Sequence, residues 1–223
     1  FRKTYEIPIQ KENNPRKSRV LKKLVEPFIL RRLKSNKEII KDLPDKVEQK
    51  VFCNLTREQA SLYQAVVEEV TGTIEEKEGI ERKGLILSTL LRLKQICNHP
   101  AQYLQDGSGF TTDRSFKLNR LSDMADEIIE NDESLLIFSQ FKEICTALEK
   151  FFIATRHFTT FLLHGNTPRK KREAMIEEFQ DPSTGPGVFI LSLKAGGVGI
   201  TLTRANHVFH FDRWWNPSVE NQA

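Results

Sequence analysis

Four short polar stretches carry the residues whose types and spacing could do chemistry. They are Ser139-Gln140-Phe141, His164-Gly165-Asn166-Thr167-Pro168, Ser192-Leu193-Lys194-Ala195-Gly196-Gly197-Val198-Gly199 and Asp212-Arg213-Trp214-Trp215-Asn216-Pro217. Hydroxyl, amide and imidazole groups offer hydrogen bonds, and glycines let backbone N–H groups approach an anion closely. A Gly-rich turn alone is a weak signal. The second stretch, however, is followed by four consecutive bases, Arg169-Lys170-Lys171-Arg172. That run falls on the first turn of a helix, where the positive end of the macrodipole mildly disfavours cations. A bound anion would remove that cost, and a helix N-terminus already suits phosphate. An exposed charged turn is the alternative; phosphate binding is the favoured reading.

Other chemistries find less support. No G-x-x-x-x-G-K-[ST] loop occurs, so the chain has no Walker A phosphate cradle of its own. His207 and His210 bracket Val208-Phe209, and strand alternation sends them to opposite faces, which argues against a metal site. Asn131-Asp132-Glu133-Ser134 precedes an apolar run, and it reads as a solvated helix-ending turn, not a magnesium-binding acid pair. Cys53, Cys97 and Cys145 are widely spaced and lie in apolar periodic segments, which fits small core residues. Adjacent Trp214 and Trp215 cannot both point the same way, so one is expected to pack and the other to be partly exposed.

The elements that must position these stretches follow from periodicity. Short apolar runs at 135–138, 160–163, 188–191 and 208–211 each precede one polar stretch. Phe141, Ile144, Cys145, Leu148, Phe151 and Phe152 trace a helix between the first two runs, and Met175, Ile176 and Phe179 mark one between the next two. Continuous apolar strands alternating with helices predict a parallel sheet covered on both faces. In such sheets ligands meet the loops at the carboxyl ends of the strands, where all four polar stretches fall.

The first half reads as helical. Asn13-Asn14-Pro15 starts a helix through Val20, Leu21, Leu24, Val25 and Phe28, which Pro27 should interrupt. Val47, Gln49, Val51, Cys53 and Leu55 alternate as a strand would. Thr56-Arg57-Glu58-Gln59 has capping-box spacing and opens a helix through Ala60, Tyr63, Val67 and Val70. Residues 72–84 look like a loop, and an apolar helix holding Leu87, Leu90, Leu91 and Leu93 runs to Ile96-Cys97-Asn98-His99-Pro100. The best candidate linker is 105–115, after which Leu118, Leu121, Met124, Ala125, Ile128 and Ile129 trace another helix. The domains expected are therefore 1–104, the linker 105–115, and an α/β unit over 116–223. Residues 1–50 hold 15 Lys and Arg against 7 acidic residues, whereas the remainder holds 19 against 23. A basic first segment on a balanced chain fits a polyanion nearby as well as it fits a solvated helical surface. No apolar run approaches the roughly 18 residues of a membrane span. Phe1-Arg2-Lys3-Thr4-Tyr5-Glu6 lacks the apolar stretch of a secretory signal, so an intracellular protein without membrane partners is expected.

Taken together, these residues resemble the Swi/Snf-type ATPases of helicase superfamily 2, nearly end to end. Phe28-Ile29-Leu30-Arg31-Arg32, Leu43-Pro44-Asp45-Lys46, Leu55-Thr56 and Leu91-Arg92-Leu93-Lys94-Gln95-Ile96-Cys97-Asn98-His99-Pro100 are similar to the family's helical region. Leu136-Ile137-Phe138-Ser139-Gln140-Phe141 resembles motif IV, His164-Gly165 with its basic helix the adjoining DNA-contact motif, and Ser192–Gly199 motif V. Asp212-Arg213-Trp214-Trp215-Asn216-Pro217 with Gln222-Ala223 resembles the start of motif VI. The DNA-repair and recombination translocases look most similar. Thr201 departs, standing where many members carry Asn.

The resemblance implies an α/β, RecA-like C-terminal helicase lobe carrying a family-specific helical protrusion over 1–104. It implies a partner lobe, the N-terminal RecA-like lobe of the same polypeptide, which would supply the phosphate cradle and the magnesium-binding acids. ATP and Mg2+ would then be cofactors of the two-lobed enzyme and not of this chain alone. The motif VI arginines are expected beyond Ala223, so no catalytic residue is expected within the chain. Ser139, Gln140, His164, Gly165, Asn166, Ser192 and Lys194 would contact phosphates of double-stranded DNA, with Arg169 and Lys171 adding charge alongside and Trp214 and Asn216 joining them. Gly196, Gly197, Gly199 and Gln222 would couple those contacts to the ATP cleft. A recombinase or a nucleosome is a further expected partner, and the expected location is DNA-associated, nuclear in a eukaryote and cytoplasmic in a prokaryote. The competing readings are a non-catalytic interaction module built on the same lobe, and an RNA or single-strand helicase. The long helical first half and the Cys-Asn-His-Pro segment count against the second of these.

Overall fold

The computed structural model describes residues 1–29, 47–196 and 200–216, and the chain divides into two compact units, Phe1–Val51 and Phe52–Ala223. In the first unit a π-helical turn, Arg2–Glu6, leads into α1 (Ile7–Gln10) and α2 (Pro15–Val25). The Asn14 side chain caps α2 by accepting from the N–H groups of Arg16 and Lys17 at 3.1 and 3.2 Å. Pro15 fills the first helical position, where a missing N–H costs nothing. A 3-10 turn, Glu26–Phe28, replaces the α-helix at Pro27, as the proline requires. The family-like segments 30–32 and 43–46 lie outside the described residues.

The strand expected over 47–55 is not formed, and these residues have no regular secondary structure. Alternation stabilises a strand only when a neighbour completes its ladder and one face is covered, yet Val47 and Phe52 are 81% and 91% exposed. The helix that follows, α3 (Arg57–Ile74), opens with the expected capping box, reciprocal bonds joining Thr56 and Gln59 at 3.0 and 3.2 Å. The loop expected over 72–84 shrinks to a few residues, because α3 continues to Ile74 and α4 (Gly79–Asn98) begins at a left-handed glycine. Gln59 donates to the Ile96 carbonyl at 2.7 Å, and Arg92 grips Glu69 through two bonds of 2.9 and 2.6 Å, so α3 and α4 form one pair.

After α5 (Pro100–Leu104), residues 105–115 bond back onto both flanks. The Thr111 carbonyl meets His99 Nε2 at 3.0 Å, and the Arg114 guanidinium pairs with Glu58 at 2.9 and 2.5 Å. Ser115 then caps α6 (Phe116–Glu130) while donating to the Asn98 carbonyl at 2.8 Å.

The sheet contains β1 (Ser134–Ser139), β2 (Thr159–Leu163), β3 (Gly187–Ser192) and β4 (Ala205–His210), all parallel, in the order β2-β3-β1-β4. The central strands β1 and β3 are buried along their whole length, which explains their continuous apolar sequences. Leu135, Ile137, Val188 and Ile190 face a core with α6 and α7 (Lys142–Arg156). Leu136, Phe138, Phe161, Phe189 and Leu191 face the opposite core, where Phe179 of α8 (Arg169–Gln180) is fully buried. Each such side chain contributes about 1.5–3 kcal/mol by leaving water. Of the cysteines only Cys145 is fully buried, which pushes its thiol up to about 12, while Cys53 and Cys97 are half-buried.

Candidate functional site

Parallel pairing brings the carboxyl ends of all four strands to one edge. Ser139 stands level with Ser192, and Phe138 with both Leu191 and His210. The polar stretches thus converge, although their side chains do not share one role.

Along β1 and β4 the polar groups bond to each other. Asp212 is only 4% exposed. Its carboxylate accepts a short hydrogen bond from the Ser139 hydroxyl and another from the Gln140 N–H at 2.9 Å. Ser139 is fully buried, and its oxygen also accepts from the Phe141 N–H at 3.1 Å, shaping the turn into α7. Burial pushes the Asp212 pKa up, opposed by the bonds from Ser139 and Gln140 and by the charges of Lys117 and Lys94. Lys117 is shifted down by burial, with Asp212 opposing. Motif reading singled out the stretch that begins at Asp212 but gave Asp212 itself no role among the site residues. The available signal was a carboxylate placed directly after an apolar strand at the sheet's ligand edge.

Along β2 and α8 the polar groups face outward. The Thr167 hydroxyl accepts from the His164 N–H at 3.1 Å, and His164 Nδ1 accepts from the Asn166 N–H at 3.3 Å, which closes a tight loop. Gly165 and Asn166 at its tip are exposed, and a Cβ at Gly165 would meet nothing within 4 Å. Pro168 gives α8 no side-chain cap, so the N–H groups of its first turn stay available beside the basic run. Arg169 pairs with Glu173 of its own helix at 2.7 Å. Lys171 instead lines an open hollow of about 440 Å³ with His164, Asn166, Thr167, Thr146 and Lys142, and with one acid, Glu149. Lys142, the first residue of α7, was missed because its stretch was read only to Phe141. A larger hollow of about 640 Å³ runs along α7 beside Phe110 and shares Lys142 and Thr146 with the first.

Ser192 is buried at the end of β3, and the short helix α9 (Leu193–Gly196) follows it. The Lys194 side chain, Gly197, Gly199 and Gln222 lie outside the described residues. Trp214 packs against the core beneath α8, and Trp215 is 52% exposed, as their adjacency requires. Asn216 is exposed. At the opposite edge of the sheet, Glu133 accepts from Asn206 at 2.9 Å and lies 2.6 Å from His207 Nε2, consistent with a surface turn. Among the described residues no three His, Cys, Asp or Glu gather as metal ligands, and no helix is long and apolar enough to cross a membrane.

Comparison with known proteins extends these observations. Residues 117–223 match the helicase conserved C-terminal domain, and residues 1–102 match the SNF2-related domain. Over all of its length the chain is 42% identical to YwqA of Bacillus subtilis (strain 168), named for an ATP-dependent helicase/translocase, of which it covers 24%. It is 34% identical over 90% of its length to the human SWI/SNF-related matrix-associated actin-dependent regulator of chromatin subfamily A member 1, covering 20% of that protein. Among solved structures, the Sulfolobus solfataricus SWI2/SNF2 ATPase core in complex with dsDNA superimposes with a TM-score of 0.71 at 42% identity, covering 97% of this chain and 45% of that one. The C-terminal domain of the same ATPase gives 0.72 at 44% identity, covering 79% of this chain and 76% of that one. The parallel α/β sheet expected from the strand–helix alternation is formed, and it has the RecA-like architecture that the family resemblance implied. The chain spans about a quarter of the length of the curated relatives it matches.

Proposed function

Because the chain belongs to the SWI2/SNF2 ATPase family, we propose that it is the second motor lobe of an ATP-dependent double-stranded DNA translocase. In this reading 1–104 is the helical protrusion and linker region, 105–115 a connector, and 116–223 the lobe core. The observation that carries the reading is the convergence of His164, Asn166, Lys171 and Lys142 on one open hollow at the ligand edge of the sheet.

Phosphates of the tracking strand would lie against this hollow, near the uncapped first turn of α8. Gly165 would let backbone amides approach them, while Lys171 and Lys142 supply charge. Ser139 acts differently here than a direct contact would: it binds Asp212 and thereby fixes Gln140 and the start of α7. Ser192, Lys194, Arg169, Trp214 and Asn216 complete the proposed DNA-facing set, and Gly196, Gly197, Gly199 and Gln222 the coupling set. ATP with Mg2+ is assigned to the cleft with the first lobe, as the family resemblance implies. Closing and reopening of the lobes would shift this one along the duplex.

The test is ATP turnover by the polypeptide carrying both lobes, with duplex DNA, single strands or RNA. Strong stimulation by duplex, together with salt-sensitive and sequence-independent binding, is expected. Turnover absent under every condition would leave an interaction module, and stimulation by RNA or single strands alone would point to a helicase of another branch.

A further inference from the structure

Two lysines outside the proposed DNA-facing and coupling sets hold the segment that follows β4. Lys94, on α4, donates to the Arg213 carbonyl at 2.5 Å, and its ammonium lies 4.4 Å from the centre of the Trp215 ring. Lys117, on α6, donates to Asn98 Oδ1 at 2.7 Å and lies 4.6 Å from the centre of the Phe211 ring. Asn98 is buried, its amide donating to Gln102 at 3.1 Å and its carbonyl accepting from Ser115. On the other side, the Phe211 N–H reaches the Phe138 carbonyl at 2.9 Å, and Asp212 binds Ser139 and Gln140. Residues 211–215 are therefore held between the sheet edge and the helices α4 and α6. A cation over an aromatic face is attracted by the ring's negative face, and the attraction strengthens where water is excluded.

We propose that Lys94 and Lys117 are positioning residues: from two helices they clamp Phe211–Trp215, so that the helical region sets how the chain leaves β4 toward motif VI. The consequence for turnover rests on the translocase reading; the clamp itself does not. A movement of α4 would pull on Arg213 and Trp215 directly, and the Lys117–Asn98 bond would carry a movement of the Cys97–Pro100 corner to Phe211.

The chain reports on its own clamp, because its two tryptophans are Trp214 and Trp215. Lys94→Met should shift tryptophan emission to the red and raise its quenching by acrylamide, with far-UV dichroism unchanged, and Lys94→Arg should restore both. An unchanged spectrum in folded Lys94→Met overturns the proposal. A second measurement does not depend on that variant folding. In Trp214→Phe, where Trp215 is the sole reporter, iodide should quench more strongly than caesium, and equal quenching overturns the proposal. In the two-lobed polypeptide, Lys94→Met should lower duplex-stimulated kcat by roughly two- to thirty-fold while the half-saturating DNA concentration holds. A rise in that concentration with kcat unchanged would make Lys94 a DNA contact and sink the positioning role. If wild-type turnover ignores duplex DNA, the translocase reading fails and the fluorescence experiments still judge the clamp.

Discussion

The β1–β4 side and the β2–α8 side of the same sheet edge carry similar small polar residues and use them in opposite directions. Ser139 and Asp212 turn inward and are buried, with the hydroxyl, carboxylate and neighbouring N–H groups bonded together. Asn166 and Lys171 turn outward around an open hollow, with His164 fastening its own loop. Position at a ligand edge therefore does not make a residue a ligand contact. What separates the two sides is whether another strand end lies close enough to satisfy the polar group. β1, in the middle of the sheet, has β4 beside it with Asp212 at its tip. β2, at the margin among the described strands, has only β3 beside it there.

The comparison breaks most readily at Asp212. Asp212→Ala leaves the Gln140 N–H without an acceptor, removes the stronger of the Ser139 hydroxyl's two acceptors and takes away the negative charge that favours the Lys117 ammonium, so it should cost about 3 kcal/mol in urea denaturation. A cost below about 1 kcal/mol would mean that the inward network is ornamental. On the outward side, Lys171→Ala and Lys142→Ala should each leave stability within about 0.5 kcal/mol of wild type. Each should weaken duplex binding and reduce the slope of log affinity against log salt by about 0.9. An unchanged slope would remove the hollow from the DNA path.

A smaller effect sharpens the inward side at a second place. The Arg114 bond holds the Glu58 carboxyl below its ordinary value of 4.5. A depressed folded pKa contributes stability that is present above the unfolded value and lost as pH falls through the folded one. Glu58→Gln should therefore cost under about 1 kcal/mol at neutral pH, because the pair is partly exposed, and nothing in acid. Denaturation midpoints across that range test it. The smallest change in stability is expected for Gly165→Ala, within about 0.5 kcal/mol of wild type, since the added methyl meets no protein atom. Weakened duplex binding in that folded variant would show that the loop tip needs its bare backbone.

Much of this was legible in sequence because the signals were local. The Asn14 and Thr56 caps, the four apolar runs and the basic turn of α8 depend on residues within a few positions of each other. The Swi/Snf resemblance rested on motif order and came through intact. Three features were not legible, and each depends on partners distant in sequence. The alternation of 47–55 lacked a neighbouring strand. The turn at 105–115 is fastened by Arg114 to Glu58, 56 residues away. The inward aim of Ser139 is dictated by Asp212, 73 residues on.

The strand order has a consequence for biosynthesis. β1 pairs with β3 and β4, and β2 pairs only with β3, so among the described strands neither of the first two has a partner until Gly187–Ser192 is made. At roughly 5–20 residues per second, the nascent chain carries an unpaired β1, apolar from Leu135 to Phe138, for several seconds. In that interval α6 and α7 can cover the face of β1 that holds Leu135 and Ile137, and α8, once made, can bring Phe179 to the face that holds Leu136 and Phe138. A pause in translation just before β3 would thus leave this strand covered by helices on its faces but without a strand on either edge.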